Sequence, residues 1–179
     1  MYTLTFPQGN TFTDEYKSTT EITVFKKSVE VDGKQVEVDI YDLCSKNLFG
    51  EKAYSKFRNK DGFIVMFDVT NYDSFANIKS FFDRIRQYSN RCILPVLVGN
   101  KIDTTEDRAI GKLLAEDFAN EHDIPYIETS AKDGTMVTEL FEKVLTDIIN
   151  PSEKVKQRQW RPFTSADLNS CKSCKCAIS

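Results

Sequence analysis

Three observations predict an α/β fold, a mostly parallel sheet with helices on both faces and one antiparallel hairpin. Between residues 62 and 149, short apolar runs alternate with segments of helical period, the order expected of parallel strands joined by crossover helices. Ahead of them, "TEITVFKKSVEVDGKQVEVDIYD" alternates apolar and polar residues on both sides of Asp32-Gly33, a pair suited to a two-residue hairpin turn. The 179 residues, 40% hydrophobic and 28% charged, suit one domain with a substantial core and a tail.

Taken in order, the hairpin strands are expected over 20–31 and 34–41. "GFIVMFDVT" follows as a buried strand, and apolar periodicity predicts a helix over 74–88. The run Cys92, Ile93, Leu94, Pro95, Val96, Leu97 is a strand leading into Gly99, and 106–121 is expected to be helical. A short strand in "IPYIETS" and a helix over 137–149 complete the domain, with Pro151 closing that helix. Residues 1–150 therefore form the domain, and 151–179, without a persistent apolar period, form a flexible tail. There is no internal repeat.

Composition narrows the chemistry. The start, "MYTLTFPQGN", lacks a basic region followed by an apolar stretch, and no membrane-spanning run is found, so a cytosolic protein is expected. Cys44 and Cys92 stand far apart, while Cys171, Cys174 and Cys176 crowd the end, a spacing that does not make a disulfide framework. The single histidine, His122, leaves little material for His-based metal sites or Ser-His triads and reads as a surface residue at a helix end. Net charge is −3, yet residues 154–179 carry Lys154, Lys156, Arg158, Arg161, Lys172 and Lys175 against Asp167 alone. A basic tail on an acidic body suits an anionic membrane surface, and the body is too acidic for general nucleic-acid binding.

The motif "VGNKID" at 98–103 places Asn100, Lys101 and Asp103 where a strand ends, and in an open α/β sheet ligands bind beyond the carboxyl ends of the strands. A carboxylate accepts two parallel N–H bonds, so Asp103 can select a base edge that offers such a pair, as guanine does. Asn100 can fix a loop or a ring edge. "ETSAKDG" at 128–134 ends the next strand, and the Ala131 backbone N–H can face a base oxygen there.

With both motifs present, the chain resembles the small GTPases of the Ras family from about Phe12 to its C-terminus. The resemblance implies a G-domain-like fold in which Asn100, Lys101 and Asp103 hold guanine, Ser130, Ala131 and Lys132 complete the pocket, and Phe12 lies beside the base. "FTDEYKSTTE" resembles the first switch and effector loop, with Asp14, Glu15, Tyr16, Lys17, Ser18, Thr19, Thr20, Glu21 and Ile22 facing partners. Thr19 and Asp42 match the family's Mg²⁺ residues, Asp42 acting through water. The implied ligands are GTP and GDP, and the implied partners are effectors and exchange or activating proteins. Lys17, Ser18 and Ile22 differ from the usual loop residues, which leaves effector identity open.

Other departures bear on chemistry. Where the family has Thr-Ala-Gly-Gln, this chain has Leu43, Cys44, Ser45 and Lys46. An ammonium has no acceptor for a water proton, so Lys46 cannot orient an attacking water as Gln does. It either neutralises phosphate charge or is an exposed loop lysine, and no catalytic residue is assigned. G-x-x-x-x-G-K-[ST] is absent, the only early glycine is Gly9, and the first strand and phosphate loop are read as missing; "YTLTF" at 2–6 alternates as a strand filling the gap would, but the crossover to residue 20 is barely long enough. Losing roughly four charge-assisted hydrogen bonds removes about 6 kcal/mol, or about four powers of ten in affinity. Weak nucleotide binding and very weak or absent hydrolysis are expected.

The terminal "CAIS" fits a prenylation signal on Cys176, with Ser last favouring farnesyl, and Cys171 and Cys174 are candidate palmitoyl sites. A zinc knuckle would need partner ligands that are not found nearby. One lipid anchors weakly, so the acyl groups and basic residues supply the second signal toward membrane lipids. Two functions are consistent with these residues: a switch of signal transduction on the cytoplasmic face of the plasma membrane, or a pseudo-GTPase adaptor that binds partners without turnover.

Overall fold

The computed structural model describes residues 23–31, 33–43, 58–88 and 94–150. Strands β1 (Thr23–Val31) and β2 (Lys34–Asp42) pair antiparallel from Val31↔Lys34 to Thr23↔Asp42. Gly33 has φ +74°, the left-handed conformation a two-residue hairpin turn demands; its partner Asp32 lies outside the described residues. Alternation sets the faces: Val29, Val31, Val36, Val38 and Ile40 turn inward, while Glu30, Glu37 and Asp39 are exposed. At the open end Lys60 lies 3.6 Å from the centre of the Tyr41 ring, a cation-π contact between β2 and the segment entering β3.

The second sheet is parallel, in the order β3 (Gly62–Asp68), β4 (Leu94–Asn100), β5 (Tyr126–Thr129). Among the described residues it forms a ladder separate from the hairpin. β4 is central, and it is buried from Pro95 to Asn100, as a strand covered on both faces must be. Pro95 is tolerated there because β5 begins pairing only at Leu97↔Tyr126, beyond the position where proline lacks an N–H.

Helices cover both faces. On one, Val65, Phe67 and Leu97 pack with Ile78, Phe82 and Ile85 of α2 (Ile78–Tyr88) and Ala115 and Ala119 of α3 (Lys112–Glu121). On the other, Val96 and Val98 meet Leu140 and Val144 of α4 (Val137–Ile149), with Ile64, Met66 and Ile127 beside them. Buried positions in α4 fall at Val137, Leu140, Phe141, Val144 and Leu145, one stripe of a 3.6-residue period.

Two helix expectations are corrected. The helix read over 74–88 is two pieces, α1 (Tyr72–Ala76) and α2, broken at Asn77. Asn77 Nδ2 donates to the Asp73 carbonyl at 2.8 Å, the local competition for backbone groups that makes Asn a poor helix-interior residue. The helix expected from 106 begins at Lys112 instead. Ala109 and Ile110 both donate backbone N–H bonds to the Val69 carbonyl at 2.9 Å, and Ile110 is fully buried. That anchoring, with an extended Gly111 at φ −64°, ψ 143°, delays the first turn. His122 also differs from expectation: it ends α3 half-buried, its ring 4.4 Å from that of Phe118.

Candidate functional site

β3, β4 and β5 end on one level, because Asp68 pairs in register with Asn100 and Asn100 with Thr129. All three polar residues are at most 2% exposed. Burial of polar groups is costly unless each finds a partner, and here each does. Among the described residues no buried side-chain N or O lacks a hydrogen bond.

Asn100 ties the two motif loops together. Its Oδ1 accepts from Thr129 Oγ1 at 3.2 Å and from the Ala131 backbone N–H at 3.0 Å. The Ala131 N–H, expected to face a base oxygen, is thus engaged by Asn100, whose Oδ1 joins the two motif loops. Ser130 makes the second tie: its hydroxyl donates to Asp103 Oδ1 at 2.7 Å and accepts from the N–H groups of Lys132 and Asp133 at 3.2 and 3.3 Å. Asp103 is thereby oriented through one oxygen, with acceptor capacity left on the other. Lys132 is exposed beside this node.

Lys101 has a left-handed backbone, φ 71°, and its carbonyl accepts from Thr104 N at 3.1 Å and Thr104 Oγ1 at 2.7 Å. Its ammonium reaches back to Asp68 Oδ2 at 3.0 Å. Asp68 was not singled out in the sequence; the available signal was a carboxylate closing the apolar run "GFIVMFD".

A second group missed in the sequence braces the loops from behind. Arg108, from the loop after β4, forms an ion pair with Glu128 of β5 and donates through Nε to the Ile110 carbonyl at 2.7 Å. Tyr126 donates its hydroxyl to Glu128 Oε1 at 2.8 Å. Burial pushes the Glu128 carboxyl up, but bonds from Arg108 and Tyr126 outweigh it and hold the group below the ordinary glutamate range. The bond to Glu128 raises the Arg108 guanidinium, and burial, then the same carboxylate, pushes the Tyr126 phenol far above its usual range. Space for that phenol comes from Gly99, where an added Cβ would lie 2.5 Å from Tyr126 Oη.

Asp42 is the last residue of β2, half-buried, and the next residue, Leu43, packs into the core beneath α2 and α3. Among the described residues no group of three or more His, Cys, Asp or Glu side chains is placed to hold a metal ion, and no helix is long and apolar enough to cross a membrane. Phe12, residues 14–22 with Thr19, Cys44, Ser45, Lys46, and Cys171, Cys174 and Cys176 lie outside the described residues.

A family model described as "Ras family" matches residues 3–150. The chain belongs to the Ras family. This Ras-family chain is 36% identical over 139 residues to Ras-related protein Rab-1C of Dictyostelium discoideum, across 78% of its own length and 69% of the relative's. It is 37% identical over 132 residues to GTP-binding protein YPTM1 of Zea mays, across 74% of this chain and 64% of the relative. With Ras-related protein RABD2a of Arabidopsis thaliana it shares 38% identity over 132 residues, 74% of this chain and 65% of the relative. The matches thus span about two thirds of these relatives' lengths. Membership accounts for the α/β architecture and for the two motif loops lying side by side.

Proposed function

We propose that this Ras-family chain binds guanine nucleotide through the pocket at the ends of β4 and β5 and works on a cytoplasm-facing membrane. The observation that carries the reading is the pair of ties between the loops, Ser130 to Asp103 at 2.7 Å and Ala131 to Asn100 at 3.0 Å. They hold an Asp carboxylate ready for a base edge with two adjacent donors, and such preorganisation lowers the ordering cost of binding. A relative named a GTP-binding protein supports the same ligand class.

The phosphate end of the site is weak in the 179-residue chain, which contains no G-x-x-x-x-G-K-[ST] and has Lys46 where a water-orienting Gln would stand. Mg²⁺, if it joins the nucleotide, is held through Asp42 and Thr19, hard oxygen donors of the kind the ion takes alongside phosphates and water. Residues 14–22 face effectors and exchange or activating proteins. Cys176 carries a prenyl group, with Cys171, Cys174 and the basic residues strengthening the hold on anionic lipids. The relatives bear Rab and YPT names, so signalling at the plasma membrane is one case within this wider membrane reading. A pseudo-GTPase adaptor is the second reading, and Lys46 is the residue that favours it.

Calorimetry with GDP, GTP and ADP tests the pocket. The wild type should prefer guanine at affinities of about micromolar or weaker, with little difference between GDP and GTP. Asp103→Asn should erase the preference, since an amide presents a donor where the carboxylate presented an acceptor. Absence of any guanine preference in the wild type would leave the adaptor reading standing.

A further inference from the structure

Asp68 divides its two carboxylate oxygens between two tasks. Oδ1 accepts from the Thr70 N–H at 3.0 Å and the Thr70 hydroxyl at 2.8 Å, shaping the turn after β3. Oδ2 receives the Lys101 ammonium at 3.0 Å. A neutral Asn would serve the first task equally well, because its single carbonyl oxygen can accept both Thr70 bonds. The negative charge, on a side chain only 3% exposed, is needed for the second.

Lys101 is constrained at both ends. Its backbone sits at φ 71° with the carbonyl capped by Thr104, a conformation that side chains with a Cβ keep only when their surroundings over-determine it. Its tip is fixed on Asp68, so the methylene stem spans from the end of β4 to the end of β3. The side chain remains 37% exposed, and an exposed lysine stem presents apolar surface to whatever lies over it.

We propose that Asp68 is a positioning residue of the nucleotide pocket, drawing the Lys101 ammonium to the end of β3 and so laying the lysine stem across the floor on which a purine ring rests. The inference depends on the guanine-nucleotide reading above. A purely structural ion pair would stabilise the fold and leave ligand binding alone; this pair places a ligand-facing surface, so its loss is felt in affinity.

The test compares the full chain with Asp68→Asn, Lys101→Met and the double variant. In the ligand-free protein, a 1H–15N ammonium signal of Lys101, protected from exchange by Asp68, should vanish in Asp68→Asn while circular dichroism stays unchanged. GDP affinity should fall on the order of tenfold in Asp68→Asn, and Asp68→Asn should have no further effect once Lys101 is Met. A role of Asp68 through the turn it shapes with Thr70, independent of Lys101, would instead add its loss in the Lys101→Met background. An Asp68→Asn variant that binds GDP like a guanine-selective wild type overturns the positioning role alone, as does additivity in the double variant. A wild type without guanine preference removes the nucleotide reading and this inference with it.

Discussion

Gly99→Ala is a test of how tightly the brace is built. An added Cβ would sit 2.5 Å from Tyr126 Oη, 3.1 Å from Val69 Cγ1 and 3.2 Å from Phe67 Cζ, with Phe67 and Val69 almost wholly buried. The phenol is the closest obstacle, and it is not free to swing, because it bonds Glu128 at 2.8 Å and its ring stacks 6.2 Å from that of Phe67. Overpacking a core costs about 1–3 kcal/mol, and displacing a hydrogen bond to a charged group costs about 1.5–3 kcal/mol. Only one route need be taken, so a loss of about 2–3 kcal/mol is expected, a fall in Tm of roughly 5–10 °C for a chain of this size. Tyr126→Phe alone should cost about 1.5 kcal/mol through the lost bond to Glu128. In the double variant the closest obstacle is gone, and its stability should exceed the sum of the single effects by at least about 1 kcal/mol. Thermal melts followed by circular dichroism measure all three. Strict additivity, or an undisturbed Gly99→Ala, would show that the phenol does not occupy the space glycine leaves.

Glu128→Gln should flatten the acid side of the stability profile. The Glu128 carboxyl is held below its ordinary 4.5, so its contribution is complete above that value and is lost as pH falls through the lowered one; urea midpoints of wild type and variant should converge as pH falls below the ordinary glutamate range, and parallel profiles would count against the brace. Met136 caps α4 at φ 57° with no side-chain cap bond. Met136→Gly should raise the unfolding free energy by about 0.5–1 kcal/mol, the relief of a left-handed Cβ less glycine's extra entropy cost, read as a higher urea midpoint, and a lowered midpoint would refute that account. Cys176→Ser should release the protein from membranes in fractionation, and unchanged sedimentation with membranes would argue against the lipid anchor.

The elements most legible in the sequence were those with one dominant pattern. Alternation around Asp32-Gly33 located both hairpin strands, and the stripe from Val137 to Leu145 located α4. The start of α3 was illegible because two backbone bonds to Val69 and the burial of Ile110 override a helical pattern in 106–110. The motif residues Asn100, Asp103, Ser130 and Ala131 do come together, since parallel strands bring adjacent ends to one edge. Their mutual bonds were not readable, because sequence gives the donors and acceptors without saying whether they satisfy one another or a ligand. Asp68, Arg108 and Glu128 escaped notice for a related reason: a charge at a strand end looks solvated until its partner, 20 to 33 residues away, is known.

The common level of Asp68, Asn100 and Thr129 ties the pocket to folding itself. Register in these strands is chosen by apolar side chains that alternate between the two helical layers, and a slip of one residue exchanges those layers. The same slip would bring Gly99 or Lys101 opposite Asp68 in place of Asn100. Correct pairing of the core and assembly of the polar row are therefore one event in the folding reaction. Chains trapped with a shifted β4 would be blind to ligand even where they remained compact, so ligand-responsive fluorescence during refolding would report β-strand alignment rather than collapse.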